Sequence, residues 1–265
     1  MTDSAKILVF DSGVGGLSIL REIQQRVDGC ELFYACDNEA FPYGTKDETS
    51  LINRVDVVLK KLIAHLQPDV VVVACNTAST VALPHIRSHF SKPVVGVVPA
   101  IKPAAANSRS KVIGLLGTPG TVQRQYTQQL IDDFASDCEV IRVGSSALVE
   151  MAEQKLRGQT IDSEQLAHII APFFEQQSLD AIVLACTHFP LLAEELTACA
   201  PRSVSWIDSG EAIARRVHSL IGEGLTDENP AEESILGGSF YTAEEASLQQ
   251  ALQQFNFTSA QLLKI

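Results

Sequence analysis

The sequence predicts an α/β fold built on parallel sheets, and three observations point to it. Short runs of β-branched and other apolar residues alternate with amphipathic helical patterns along the chain. Most of those runs are almost continuously apolar, as strands covered on both faces require. The alternation also occurs twice, so two pseudosymmetric α/β domains are expected.

Taken in order, residues 6–10 (KILVF) form the first strand. Gly13, Gly15 and Gly16 then let the backbone turn into a helix over 15–26. A strand over 31–36, a long amphipathic helix over 48–65 and a strand over 70–74 follow. A short strand at 94–97 closes the first half, and "VVPAIKPAAA" reads as a linker. The second half runs through a strand at 111–116, a helix at 121–134 and strands at 139–143, 181–185 and 205–207. A helix over 209–221 is expected to return to the first half, and the Gly-, Pro- and acid-rich stretch 222–233 reads as a surface loop. The predicted domains are therefore 1–98 plus 208–265, and 99–207.

The two copies can be aligned. "KILVFDSG" at Lys6 matches "KVIGLLGTPG" at Lys111 in pattern, an offset of 105 residues. "DVVVVACNTAS" at Asp69 matches "DAIVLACTHFP" at Asp180 more closely, at an offset of 111. Each of these holds an Asp six residues before a Cys, an Ala immediately before that Cys, and two hydrogen-bonding residues behind it.

Composition narrows the function classes. A net charge of −12 argues against broad nucleic-acid binding, which needs Lys and Arg to neutralise phosphates. No apolar run approaches the length that spans a bilayer, and MTDSAKILVF lacks the basic and apolar regions of a secretory signal, so a cytoplasmic location is expected. The six cysteines are widely spread, without CxxC pairs or zinc-like spacing, so reduced thiols and no metal centre are expected.

Ligands of open α/β sheets bind beyond the carboxyl ends of strands. Those ends carry Asp11-Ser12-Gly13, Asp37-Asn38, Cys75-Asn76-Thr77, Gly117-Thr118, Cys186-Thr187-His188 and Asp208-Ser209-Gly210. Gly13-Val14-Gly15 with Asp37 is a weak dinucleotide fingerprint, because Ser18 stands where the third glycine belongs. Capping of the first helix by Asp11 or Ser12, and of the later ones by Thr118 and Asp208, are the plainer readings. A single strand-end Cys is ordinarily core. Two at equivalent places in a duplicated fold, flanking one ligand from opposite sides, suit a proton removed from one face of a carbon and returned to the other. Cysteine–histidine nucleophilic catalysis by Cys186 and His188 remains open, but leaves Cys75 without a part.

The set "FDSGVGGLSIL", "FPYGTK", "ACNTAST", "GTPGTV", "LACTHFPLL" and "IDSGEA", with the tail pattern "SFYTAEEA", resembles the cofactor-independent glutamate racemases. Each motif is modest alone; six in order are specific. The resemblance implies an active site in a cleft between the two domains, no cofactor, and D-glutamate made from L-glutamate for peptidoglycan. It implies Cys75 as acid–base on the D-glutamate face and Cys186 on the L-glutamate face. Asp11 would assist Cys75, and His188 with Glu150 would assist Cys186. Ser12, Pro42, Tyr43, Gly44, Asn76, Thr77, Thr118, Thr121, Thr187 and His188, with Asp11, would bind substrate. A homodimer is implied as well. Some members carry a longer N-terminus tied to activation by a UDP-linked peptidoglycan precursor. Here only about five residues precede the first strand, which argues against that activation.

Overall fold

Parallel pairing throughout both sheets organises the chain. The computed structural model describes residues 4–222 and 233–265; the predicted loop at 222–233 lies outside that range except for its two end residues. The chain divides into two compact units, Met1–Val97 with Gly210–Ile265, and Val98–Ser209.

In the first unit β1 (Ala5–Asp11), β2 (Cys30–Cys36), β3 (Val70–Val73) and β4 (Val94–Gly96) alternate with α1 (Leu17–Arg26), α2 (Glu48–Leu66) and α3 (Asn76–His89). In the second unit α4 (Ile101–Asn107) leads into β5 (Val112–Gly117), α5 (Pro119–Gln123), α6 (Gln125–Phe134) and β6 (Glu139–Gly144). Next come α7 (Ala147–Leu156), α8 (Ser163–Glu175), β7 (Ala181–Ala185), α9 (Ala193–Cys199) and β8 (Ser205–Ile207). The chain then re-enters the first unit with α10 (Gly210–Gly222), β9 (Ile235–Tyr241), α11 (Ala246–Gln253) and β10 (Ala260–Leu262).

The sheet orders reveal the duplication: β10-β9-β2-β1-β3-β4 in one unit, β6-β5-β7-β8 in the other. Setting aside β9 and β10, which extend the first sheet beyond β2, β2-β1-β3-β4 and β6-β5-β7-β8 are the same arrangement. In the first unit Leu8, Phe10, Val71 and Val73 pack with Leu51, Val55, Val58, Leu59 and Leu62 of α2 and Ala78, Ala82 and Ile86 of α3. The alternate residues Ile7, Val9, Val70 and Val72 point the other way and are equally buried. That two-sided burial is why these strands read as unbroken apolar runs. In the second unit Ile113, Leu115, Ala181 and Val183 share a core with α4, Val122 and Ile131.

The repeated Asp of the two copies is a structural clasp. Asp69 accepts from the Lys6 N–H at 3.0 Å, tying the start of β3 to β1. Asp180 does the equivalent work, accepting from the N–H groups of Arg109 (2.8 Å) and Ser110 (3.0 Å) and from the Ser108 hydroxyl (2.6 Å).

Two strands were missed and two expectations are corrected. Strands β9 and β10 were not legible, because the first four residues of β9 alternate exposed and half-buried and include two glycines, and β10 is only three residues long. The helix expected over 121–134 is two helices, broken at an extended Arg124. No Gly or Pro marks that break; the Thr127 hydroxyl takes the Thr121 carbonyl (2.6 Å) that a continuous helix would bond to the N–H of residue 125. The cap of α1 is Gly16, without a side-chain cap, so neither Asp11 nor Ser12 serves there. The cap expected of Thr118 is present, its hydroxyl accepting from the Thr121 N–H.

Candidate active site

Strands β1 and β3 are neighbours, with Phe10 beside Val73, so Asp11 and Cys75 leave the sheet side by side at its carboxyl end. Cys75 is the N-cap of α3, and its Sγ accepts from the Ala78 N–H at 3.5 Å. Ser79 fixes the start of this helix by donating to the Val73 carbonyl (2.8 Å) and accepting from the Val97 N–H (3.0 Å). Asp11 is fully buried and accepts from the Ser12 N–H at 2.6 Å. The Ser12 hydroxyl lies 3.4 Å from Asp11 Oδ1 and 3.9 Å from Cys75 Sγ. Gly16 makes this closeness possible: a Cβ there would sit 2.8 Å from the Asp11 Cβ and 3.1 Å from the Ala74 Cβ. Beside Cys75, the Asn76 Oδ1 is buried with no hydrogen-bond partner among the described residues.

Tyr43 stands on the turn after Pro42, and its hydroxyl donates to Asp37 Oδ2 at 2.7 Å. Burial first, then the Asp37 charge, push the phenol well above its ordinary 10. Asp37 is itself fully buried and held on every side. Arg54 donates to both its oxygens (2.8 and 2.6 Å), and Thr242 donates to Oδ1 (2.7 Å). The acid that a dinucleotide site would turn to a ribose is thus engaged within the protein, and that reading of the Gly13–Gly16 turn falls. Asn38 completes the clasp, accepting from the N–H groups of Thr242 and Ala243, each at 3.0 Å. The tail pattern "SFYTAEEA" therefore has a physical meaning: its Thr242 supports the residue that holds Tyr43. Pro42 and Gly44 are half-buried beside it.

The second unit presents its own set. Cys186 follows β7, with His188 Nδ1 3.8 Å from its sulfur. His188 Nε2 lies 2.9 Å from Glu153 Oε1, and both side chains are almost wholly buried. Arg157 donates to the other Glu153 oxygen at 3.3 Å. Burial opposes charge on His188, but its contacts with Cys186 and Glu153 outweigh burial and raise its pKa well above 6.5. The result is a line Cys186–His188–Glu153 in which the imidazole can hold a proton for the sulfur. Thr187 is buried next to it. At the end of β5, the hydroxyls of Thr118 and Thr121 are 2.9 Å apart and buried. Thr77 is buried at the start of α3.

Glu150 is not the carboxylate that meets His188. It is exposed on α7, and the carboxylate on His188 is Glu153, one turn later. A signal was present: Glu153 falls on the apolar stripe Val149, Ala152 and Leu156, whereas Glu150 falls off it. An acid on an apolar stripe needs a partner. Arg54 and Thr242, which hold the strand-end Asp37, were missed because their meeting joins α2 to the ends of β2 and β9, far apart in the chain.

The Asp/Glu/Hydantoin racemase family model matches residues 7–217. A glutamate racemase of Pectobacterium carotovorum is 47% identical over 260 residues, covering 98% of this chain and 91% of that protein. One of Vibrio cholerae is 47% identical over 256 residues, covering 97% and 95%. Among solved structures, Escherichia coli glutamate racemase in complex with L-glutamate and the activator UDP-MurNAc-ala matches at a TM-score of 0.90, with 42% identity and 98% of each chain covered.

Proposed function

Since the chain belongs to the Asp/Glu/Hydantoin racemase family, we propose that it is an isomerase interconverting L- and D-glutamate, with Cys75 and Cys186 as its two acid–bases and no cofactor. The observation that carries this reading is the pair of thiols at equivalent strand ends, after β3 and after β7, each with its own distinct supports.

In the L-to-D direction the Cys186 thiolate takes the α-hydrogen of L-glutamate, and the thiol of Cys75 delivers a proton to the opposite face. The products are D-glutamate, a Cys186 thiol and a Cys75 thiolate, so a proton balance remains to be reset between turnovers. His188, backed by Glu153, holds or relays the proton on the Cys186 side; Asp11 and Ser12 do so on the Cys75 side. The α-hydrogen is a weak acid, so preorganised donors must carry the developing carboxylate charge. Thr77, Thr118, Thr121 and Thr187 are the hydroxyls assigned to that work, with Ser12 and the backbone at Tyr43 and Gly44. Asn76 Oδ1, buried and unpaired among the described residues, is the acceptor assigned to the substrate ammonium.

Product D-glutamate would feed peptidoglycan synthesis. Thiol acid–bases call for a reducing compartment, which supports a cytoplasmic location, and no described helix is long and apolar enough to cross a membrane. A homodimer is the expected assembly.

The test is incubation of L-glutamate in D2O without added cofactor. D-glutamate bearing deuterium at Cα is the expected product, and Cys75→Ala and Cys186→Ala should each abolish it. Unchanged turnover in either variant would overturn the two-base assignment. Repeating the assay with UDP-MurNAc-ala tests the expectation against activation.

A further inference from the structure

Toward the C-terminal end of α3, away from the Cys75 that caps its start, α2 and α3 bring Asp56, His85 and His89 together so that one potential ligand atom from each lies within 4.8 Å of the others. His85 and His89 stand four apart on α3, the spacing that puts two imidazoles on one helix face. Asp56 comes across from α2. We propose that these three side chains form a binding site for a divalent transition-metal ion, of the zinc, cobalt or nickel class.

The geometry carries this in three ways. His85 Nε2 and Asp56 Oδ1 are 3.5 Å apart. Two ligands at 2.0–2.1 Å from a tetrahedral zinc are separated by about 3.3 Å. Yet Asp56 Oδ1 has no hydrogen-bond partner among the described residues, although that atom is out of reach of water. The two atoms are thus spaced as joint ligands without being bonded to each other. The Asp56 side chain is only 13% exposed, and among the described residues its Oδ1 is met by His85 Nε2 at ion-pair distance without a hydrogen bond, so a cation held between the two would satisfy it.

His89 is prepared as the third ligand. Its Nδ1 lies 2.8 Å from the His85 carbonyl, which can only accept, so Nδ1 carries the proton in this contact. The neutral ring then offers Nε2 as a lone pair, the way an outer carbonyl fixes the tautomer of a metal-bound histidine. His89 is exposed and ends α3, so it has room to swing inward and close the remaining edges. Lys60 takes the other carboxylate oxygen, Oδ2, at 2.5 Å, and leaves Oδ1 to the site. Its side chain is half exposed and can withdraw when a cation arrives. Two imidazoles and one carboxylate select transition metals over magnesium and calcium, which prefer all-oxygen cages.

The site lies about 15 Å along α3 from Cys75, at 1.5 Å per residue, so it takes no part in proton transfer. It would pin α2 to the far end of the helix that Cys75 caps. The test uses the tag-free full-length chain titrated with Co2+. One equivalent should bind with a visible d–d band and no sulfur-to-cobalt charge-transfer band, and Zn2+ should displace it. His89→Ala should weaken Co2+ binding by more than about a hundredfold, beyond the 10–100-fold typical for losing an outer-shell partner. His85→Ala and Asp56→Asn should do the same, and His89→Ala should racemise glutamate as the parent does. A thiolate charge-transfer band would place the metal on the cysteines and overturn the proposal. So would the absence of a d–d band, or a band that survives loss of both histidines.

Discussion

Glu153→Gln separates the carboxylate that touches His188 from the one that sequence resemblance pointed to. The Glu153–His188 contact is 2.9 Å long between two nearly inaccessible side chains. A hydrogen bond to a charged group is worth about 1.5–3 kcal/mol. If that support is felt fully when His188 relays a proton, its loss lowers kcat/KM by about ten- to a hundredfold. Gln keeps the shape and a hydrogen bond but removes the charge, so the His188 pKa must fall. The assay is racemisation followed by circular dichroism in both directions over a pH range. Enantiomers have equal free energy, so the equilibrium constant is one and kcat/KM must fall equally in the two directions. What shifts is the pH profile, with the limb governed by His188 moving to lower pH. Glu150→Gln is the control, and it should leave activity and profile unchanged because Glu150 is exposed and the carboxylate on His188 is Glu153. A full loss in Glu150→Gln with a normal Glu153→Gln would refute the reasoning.

Three further outcomes are expected. The His188 pKa is raised on folding, so the stability it contributes is fully present below about 6.5 and is lost as pH climbs through the higher folded-state value. Chemical denaturation from pH 6 upward should show the parent losing stability that His188→Asn, lacking this linkage, does not lose. Arg54→Leu strands the fully buried Asp37 carboxylate and should cost about 3–5 kcal/mol, read as a Tm lowered by roughly 10 °C; an unchanged Tm would mean that Asp37 is not held as described. Asn76→Ala removes a buried oxygen that has no partner among the described residues, so stability should stay level or rise while kcat/KM falls about tenfold. Reduced stability with normal kinetics would show Asn76 to be structural.

Much of the fold was legible because burial on both faces writes itself into the sequence. Val70–Val73 and Ala181–Ala185 are unbroken apolar runs, and each ends at a cysteine because parallel strands end at the ligand side of the sheet. Duplication made the pair of thiols conspicuous. The two strands added beyond β2 were not legible, because β9 opens with half-exposed residues and two glycines and β10 is three residues long and mostly exposed.

What the sequence determined by itself was therefore local and repeated: strand, turn, helix, and the reactive residue at each strand end. The tertiary structure alone decided which side chains serve those residues. Glu153 rather than Glu150 meets His188 because α7 turns that face inward. Asp37 meets Arg54, Tyr43 and Thr242 because β9 returns more than two hundred residues later to lie beside β2. Asp56 meets two histidines because α2 packs on α3. Periodicity records whether a side chain is buried, but the partner that satisfies a buried charge comes from wherever the chain returns, and no local pattern encodes that.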